Sequence, residues 1–346
     1  MKGSVTHSAL DVRPFGVGDE AAVLDLLTAS LGPSPVGPWG PAFFRWKHLQ
    51  NPYGRSLMLV AERAGRLVGF RAFMRWRFRA GQQELRAVRA VDTATHPGAR
   101  REGVFSTLTA EALTALRADT DFVFNTPNER SLPGYTKMGW QVVGRLPVAI
   151  RVRHPVRFLR ALPSLLEGQL DDAVSPRGLA AMPAAEVLSD PRLPALLHRV
   201  DQAASADGVL RTDRSMGYLR WRYTDIPGLV YHGLLEGDGD LRGVALFRVR
   251  PRGRSWEAAV VEVIAMPYEH RTVARLLGAV ARSSAVDHVI TYVPPGTSTA
   301  RGARRAGYLP APGRATLVTR PLHDRISPDP TRASSWGVGL GDLELF

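Results

Sequence analysis

The chain has 346 residues, 45% hydrophobic and 22% charged, a balance that fits a globular protein with a sizeable core and, at this length, two domains rather than one. It has no cysteine, which excludes disulfides, thiolate catalysis and cysteine-bound metal; no apolar run approaches the ~18 residues of a spanning helix, and MKGSVTHSALDVRPF lacks a signal-peptide core, so a cytoplasmic protein with no membrane contact and no metal site is expected. The formal charge of +13 is almost wholly arginine, since the lysines are Lys2, Lys47 and Lys137; this fits a compositional preference, a polyanionic cofactor, an acidic substrate or RNA, although no dense basic run marks nucleic-acid binding.

In chain order, LDVRPF is a short strand. GDEAAVLDLLTASL follows as a helix, with Asp19 as its candidate N-cap and Val23, Leu26, Leu27 and Leu31 at helical spacing. GPSPVGPWGP is a loop, and PAFFRWKHLQ suits a short helix. SLMLVAE, RLVGFRAFMRWRF and ELRAVRAVDTATH read as three strands joined by short turns. EGVFSTLTAEALTALRA is an amphipathic helix, DFVFN a buried strand, ERSLPGYTKMG a short helix and WQVVGRLPVAIRVR a final long strand. Beyond a partly helical linker the order repeats: helices near 191–205 and 213–223, strands near 229–236, 241–250 and 255–266, a helix near 270–284, a strand at 286–292, a helix near 298–306 and a strand near 314–320. After Leu322 an extended tail is expected, which either packs on the sheet or stays mobile.

The repetition is visible in the letters. RWKHLQNP (Arg45 to Pro52) matches RWRYTDIP (Arg220 to Pro227), and Glu62, Gly65, Leu67, Gly69 and Phe73 match Glu236, Gly239, Leu241, Gly243 and Phe247 at a constant offset. Two copies of one fold explain this best. The expected units are 1–153, a linker at 154–184, 185–322 and a tail at 323–346.

HPGARREGVF, from His96 to Phe105, lies between a strand and a helix. The first turn of a helix offers unpaired N–H groups and the positive end of its dipole, and flanking arginines add forked donors. Arg101 to Ser106 therefore suit a pyrophosphate; an ordinary strand-to-helix turn with surface arginines is the alternative reading.

In that context the chain resembles the GNAT superfamily of acyl-CoA-dependent N-acyltransferases, well over about 8–153 and more weakly over about 185–322. Arg100-Arg101-Glu102-Gly103-Val104-Phe105 stands where that family has Arg/Gln-x-x-Gly-x-Gly/Ala, departing from it at Phe105. Asn128 to Trp140 looks like its Asn-x-x-Ala…Tyr-x-x-x-Gly-aromatic stretch. The resemblance implies an α/β fold with two tandem domains, each a mostly antiparallel mixed sheet flanked by helices. It also implies acetyl-CoA or another acyl-CoA as co-substrate, bound by Thr93, Ala94 and Thr95, by Arg100, Arg101, Glu102, Gly103, Val104, Phe105 and Ser106, and by Asn128 and Ser131. Tyr135 matches the acid that protonates the departing thiolate; a packing tyrosine is its other reading. Asp92 is the candidate base, directly or through water, with a structural hydrogen bond as the alternative; His48 and His96 carry less weight. Period-two alternation puts Asp92 and Arg89 on opposite faces.

In the second copy His270, Val273 and Ala303 take the places of Arg100, Gly103 and Tyr135, so acyl-CoA is expected only in the first. Trp39, Phe43, Phe44 and Trp46 either line the acceptor site or are buried between the copies. The tandem form also resembles the mycobacterial enhanced-intracellular-survival type of acetyltransferase, which implies the Phe346 carboxylate as a possible base. A small-molecule amine is the expected acceptor. A charged tRNA (as in Fem-type transferases), an acyl carrier protein or a non-catalytic acyl-CoA-binding role remain alternatives.

Overall fold

A computed structural model describes residues 9–34, 36–167, 179–204, 208–283, 285–311 and 315–343. The first copy runs β1 (Asp11–Pro14), α1 (Glu20–Leu31), α2 (Pro41–His48), β2 (Leu57–Arg63), β3 (Arg66–Ala80), β4 (Gln83–Thr95), α3 (Val104–Leu116), β5 (Phe122–Asn125), α4 (Leu132–Lys137), β6 (Gln141–Arg145) and β7 (Val148–Val152). The connecting helix α5 (Pro155–Glu167) leads to β8 (Met182–Pro183), α6 (Ala184–Val187), α7 (Leu193–Ala204), β9 (Arg211–Thr212) and α8 (Met216–Tyr223). Then come β10 (His232–Glu236), β11 (Gly243–Arg252), β12 (Ser255–Ala265), α9 (His270–Ser283), β13 (His288–Tyr292), α10 (Ser298–Arg305), β14 (Leu309–Ala311) and β15 (Thr316–Pro321). The expected elements are present near their expected positions. Asp19 does precede α1, but its carboxylate accepts from the Gly16 N–H and from Arg13 instead of capping the helix.

The strands form two mixed sheets, β1-β2-β3-β4-β5-β15-β6 (with β9 on β3) and β14-β7-β13-β12-β11-β10-β8. Each copy therefore lends its last strand to the other: β15 lies between β5 and β6, and β7 between β13 and β14. The expected long strand of residues 140–153 is in fact two strands in different sheets. Leu146-Pro147 breaks it, because proline has a fixed φ and no N–H to give a ladder. Residues 148–152 and 316–321 thus lie outside the sheets of the units 1–153 and 185–322 in which the sequence places them.

Three apolar cores separate the layers. The largest lies between the sheets and holds α1, α2 and α8; one outer core joins the first sheet to α3 and α4, and the other joins the second sheet to α9 and α10. At the centre of the molecule Trp46 and Trp221 stack at 4.8 Å and 15°. Each indole N–H donates to the other's backbone carbonyl, at 2.7 and 3.0 Å. Phe43, Phe44 and Trp46 are buried in this core and Trp39 packs against it, as burial between the copies requires.

The tail packs instead of hanging free. Trp336 packs its ring against Phe78, Phe122 and Phe124. Further on, Arg89 donates to the Asp342 carbonyl at 2.7 Å, Arg222 to the Leu343 carbonyl at 2.8 Å, and Arg214 pairs with the buried Asp342 carboxylate. Phe346, whose carboxylate is a sequence candidate, lies outside the described residues. Among the described residues no helix is long and apolar enough to cross a membrane.

Candidate active site

β4 and β5 run parallel and pair only from Ala87–Arg89 to Phe122–Phe124; beyond Arg89 they part. On its other side β4 pairs with β3, and there the register shifts: Phe70 faces Ala94 and Ala72 faces Val91, so Arg71 alone opposes both Asp92 and Thr93. This is a bulge, and it re-aims side chains. Asp92 has φ +43°, which turns its carboxylate toward the inner core. Arg89 also points inward, to Thr126 and the tail, so the expectation of opposite faces is corrected by the bulge. Thr93 points the other way, toward α3 and α4.

On the inner side Asp92 accepts from Lys47 Nζ at 2.7 Å and bonds His48 Nε2 at 2.9 Å, while His48 Nδ1 meets Ser56 Oγ at 3.0 Å. Lys47 and His48 are buried with it, and the Lys47 ammonium sits 5.8 Å from the rings of Trp39 and Phe43. Burial pushes the Asp92 carboxyl up, but Lys47 and His48 outweigh it and hold it at about 2. Burial lowers both Lys47 and His48. The second copy has a counterpart: Glu262 accepts from Tyr223 Oη at 2.8 Å and pairs with Arg214 at 2.6 Å, and Tyr223 stands where the first copy has His48.

On the outer side Tyr135 is 5% exposed, and its oxygen accepts from Arg71 Nη1 at 3.0 Å. The same nitrogen donates to Thr93 Oγ1. Phe105 meets the Tyr135 ring edge-on at 5.7 Å, and Trp140 does so at 5.2 Å. Phe105, the residue at which the motif departs from the family pattern, packs against Tyr135. Arg71 carries no motif, and reading the sequence alone passes it by. The one signal available is an arginine at a position where alternation along β3 puts Gly69 and Phe73 in a core.

The loop before α3 turns at two left-handed residues, Arg101 (φ +69°) and Gly103 (φ +82°). A Cβ at Gly103 would meet nothing closer than Ser106 Oγ at 3.8 Å, so the backbone conformation, not space, calls for glycine. No side chain caps α3, which leaves its first N–H groups, including those of Val104, Phe105 and Ser106, without a side-chain acceptor. Arg100, Arg101 and Glu102 are exposed, and Glu102 pairs with Arg63. Asn128 organises the start of α4, its side-chain oxygen accepting from the N–H groups of Arg130 and Ser131 and from Ser131 Oγ. Ala94 is buried against β3, and the Thr95 carbonyl accepts from Ser30. His96 accepts from the Gly98 N–H and does no more than shape its turn.

The parting of β4 from β5 past Arg89 and the uncapped helix after a glycine turn lie at Thr93–Thr95 and Arg100–Ser106, the stretches that the sequence resemblance singles out. Residues 11–143 match the family model described as an acetyltransferase (GNAT) domain. The likeness to a GNAT acetyltransferase domain thus runs through the first copy, from β1 into β6. Solved structures similar over the whole fold include a GCN5-related N-acetyltransferase from Anabaena variabilis ATCC 29413, at 15% identity and TM-score 0.64, covering 91% of this chain and 73% of that one. A GCN5-related N-acetyltransferase from Kribbella flavida follows at 14% and 0.57, covering 92% and 72%. Eis1 from Mycobacterium abscessus is similar at 13% and 0.57, covering 91% and 74%. At such identities these likenesses speak to fold. A search of curated protein sequences finds no match.

Within this framework the two copies differ most on the outer face. The inner acid cluster has a counterpart in each. On the outer face the second copy has Ala245 where Arg71 stands and Ala303 where Tyr135 stands, both in its apolar core. There α10 closes on α9 so tightly that a Cβ on Gly302 would lie 2.5 Å from Val273.

Proposed function

We propose that the protein is an acyl-CoA-dependent N-acyltransferase, with acetyl-CoA the simplest donor, acting on the amine of a small molecule at a single site in the first copy. The observation that carries this reading is the Tyr135–Arg71–Thr93 cluster beside the β4 bulge, present in one copy, while the other has Ala245 and Ala303 where Arg71 and Tyr135 stand. The residues fit a bound acyl-CoA: the edge of β4 at Thr93 and Ala94, past its pairing with β5 and before Ser30 takes up the backbone of Thr95, for its pantetheine arm, and the uncapped start of α3 with Arg100 and Arg101 for its pyrophosphate. Acyl-CoA, when bound, supplies a thioester that an amine opens with loss of the sulfur.

Tyr135 suits the acid. Its oxygen already accepts from Arg71, so its own proton is left to point at another acceptor. Asp92 is a weak base at about 2, and its ties to Lys47 and His48 make it a positioning group that keeps the bulge turned. The proton of the attacking amine then leaves through water.

Amines assayed with acetyl-CoA, with charged tRNA and with acyl carrier protein as competing donors test the reading. Turnover is expected with acetyl-CoA, and Tyr135→Phe is expected to lower kcat by about 100-fold or more while leaving CoA affinity nearly unchanged. Unchanged kcat in Tyr135→Phe, or transfer only from tRNA or the carrier, contradicts it.

A further inference from the structure

Arg71 is fully buried, and its guanidinium lies 4.6 Å from the ring of Phe73, 5.2 Å from Phe105 and 5.4 Å from Tyr135. Nη1 is engaged by Tyr135 and Thr93. Among the described residues, Nε and Nη2 have no hydrogen-bond partner. These two nitrogens share one edge of the guanidinium, the edge that takes a carboxylate with two parallel bonds. A guanidinium stays charged at any working pH, so burying it with an empty edge is costly unless a partner arrives. The fold itself does not require this arginine, because Ala245 fills the equivalent position with no loss of architecture.

We propose that the Nε/Nη2 edge of Arg71 receives an oxygen at the acyl end of the donor, and so sets which acyl groups the enzyme takes. This rests on the acyl-CoA reading above. Its place beside Tyr135, Thr93 and the bulge assigns the edge to the reacting end of the donor, away from Arg100 and Arg101 on the exposed loop. Two sources share the required chemistry: a carboxylate on the acyl chain, as in a dicarboxylic acyl-CoA, and the thioester oxygen itself. A resting buried cation is matched better by the carboxylate, which carries a permanent charge. The rings of Phe73, Phe105 and Tyr135 stack against the guanidinium and hold its plane, which explains why a large residue stands at Phe105.

The test is calorimetric binding of free CoA, acetyl-CoA and succinyl-CoA, with no acceptor present, to the whole protein and to Arg71→Met. If the edge takes a carboxylate, the wild type binds succinyl-CoA about tenfold or more tightly than acetyl-CoA, and Arg71→Met abolishes the difference. If it takes the thioester oxygen, Arg71→Met weakens both thioesters by the same factor and leaves free CoA unchanged. Equal binding of all three ligands by wild type and variant overturns the proposal. Should Arg71→Met lose free CoA as well, the comparison on Arg71→Lys decides, since lysine keeps the charge and loses the paired edge. Failure of the wild type to bind free CoA is a separate outcome: it removes the acyl-CoA reading, and the proposal with it.

Discussion

At the residue scale, Asp92, His48 and Lys47 form a buried polar cluster whose charge state is tied to stability. The Asp92 carboxyl stands at about 2 in the fold against 3.8 in a free chain. A group with its folded pKa depressed adds stability above the unfolded value and loses it as pH falls through the folded one. Asp92 therefore contributes about 2 kcal/mol at neutral pH, lost between pH 4 and 2. His48 is also lowered, so the unfolded chain takes up its proton first and stability already slopes downward below about pH 6.5. Denaturation followed from pH 7 to 2 is expected to show both slopes, with Asp92→Asn flattening the lower one. An unaltered lower slope in the variant contradicts the assignment. Asp92 is legible in the sequence, but simple alternation misplaces its side chain, since a bulge leaves no mark in the letters. Arg71 is not legible as a site residue, because an arginine on a strand usually ends in solvent and only the packed rings around it show otherwise.

At the scale of elements, the exchanged strands tie the copies together. Without β15 the first sheet would have a gap between β5 and β6, exposing both ladder edges, and without β7 the second would have a gap between β13 and β14. The fragment 1–153 is therefore expected to aggregate or stay unfolded, and the same fragment followed by a linked copy of residues 315–322 is expected to gain protection in hydrogen exchange. A stable, cooperatively folded 1–153 monomer contradicts this. Periodicity and turn residues made the elements legible, and Leu146-Pro147 marked the break in retrospect. Which sheet each half of that strand joins was not legible, because local pattern is the same for a strand paired within its own copy and one paired across.

At the scale of the molecule, the repeat could be read directly from RWKHLQNP and RWRYTDIP, and the structure makes its purpose visible. The duplicated tryptophans close the centre with reciprocal hydrogen bonds, and the duplicated acid clusters flank them on the inner faces. Duplication thus accounts for the inner side of the first sheet, including much of what surrounds Asp92. The outer face breaks the symmetry: Arg71, Phe105, Tyr135 and the Gly103 turn exist in one copy, while Ala245, Ala303 and the tight α9–α10 contact replace them in the other. A protein with two equivalent folds and one equipped face should have one site. The direct measurement is the stoichiometry of CoA binding by calorimetry to the intact chain, to Gly103→Val and to Val273→Ala. The account predicts one CoA per chain, lost in Gly103→Val, where a β-branched side chain opposes φ +82°, and kept in Val273→Ala. Two CoA per chain, or one that survives Gly103→Val and disappears with Val273→Ala, would contradict it.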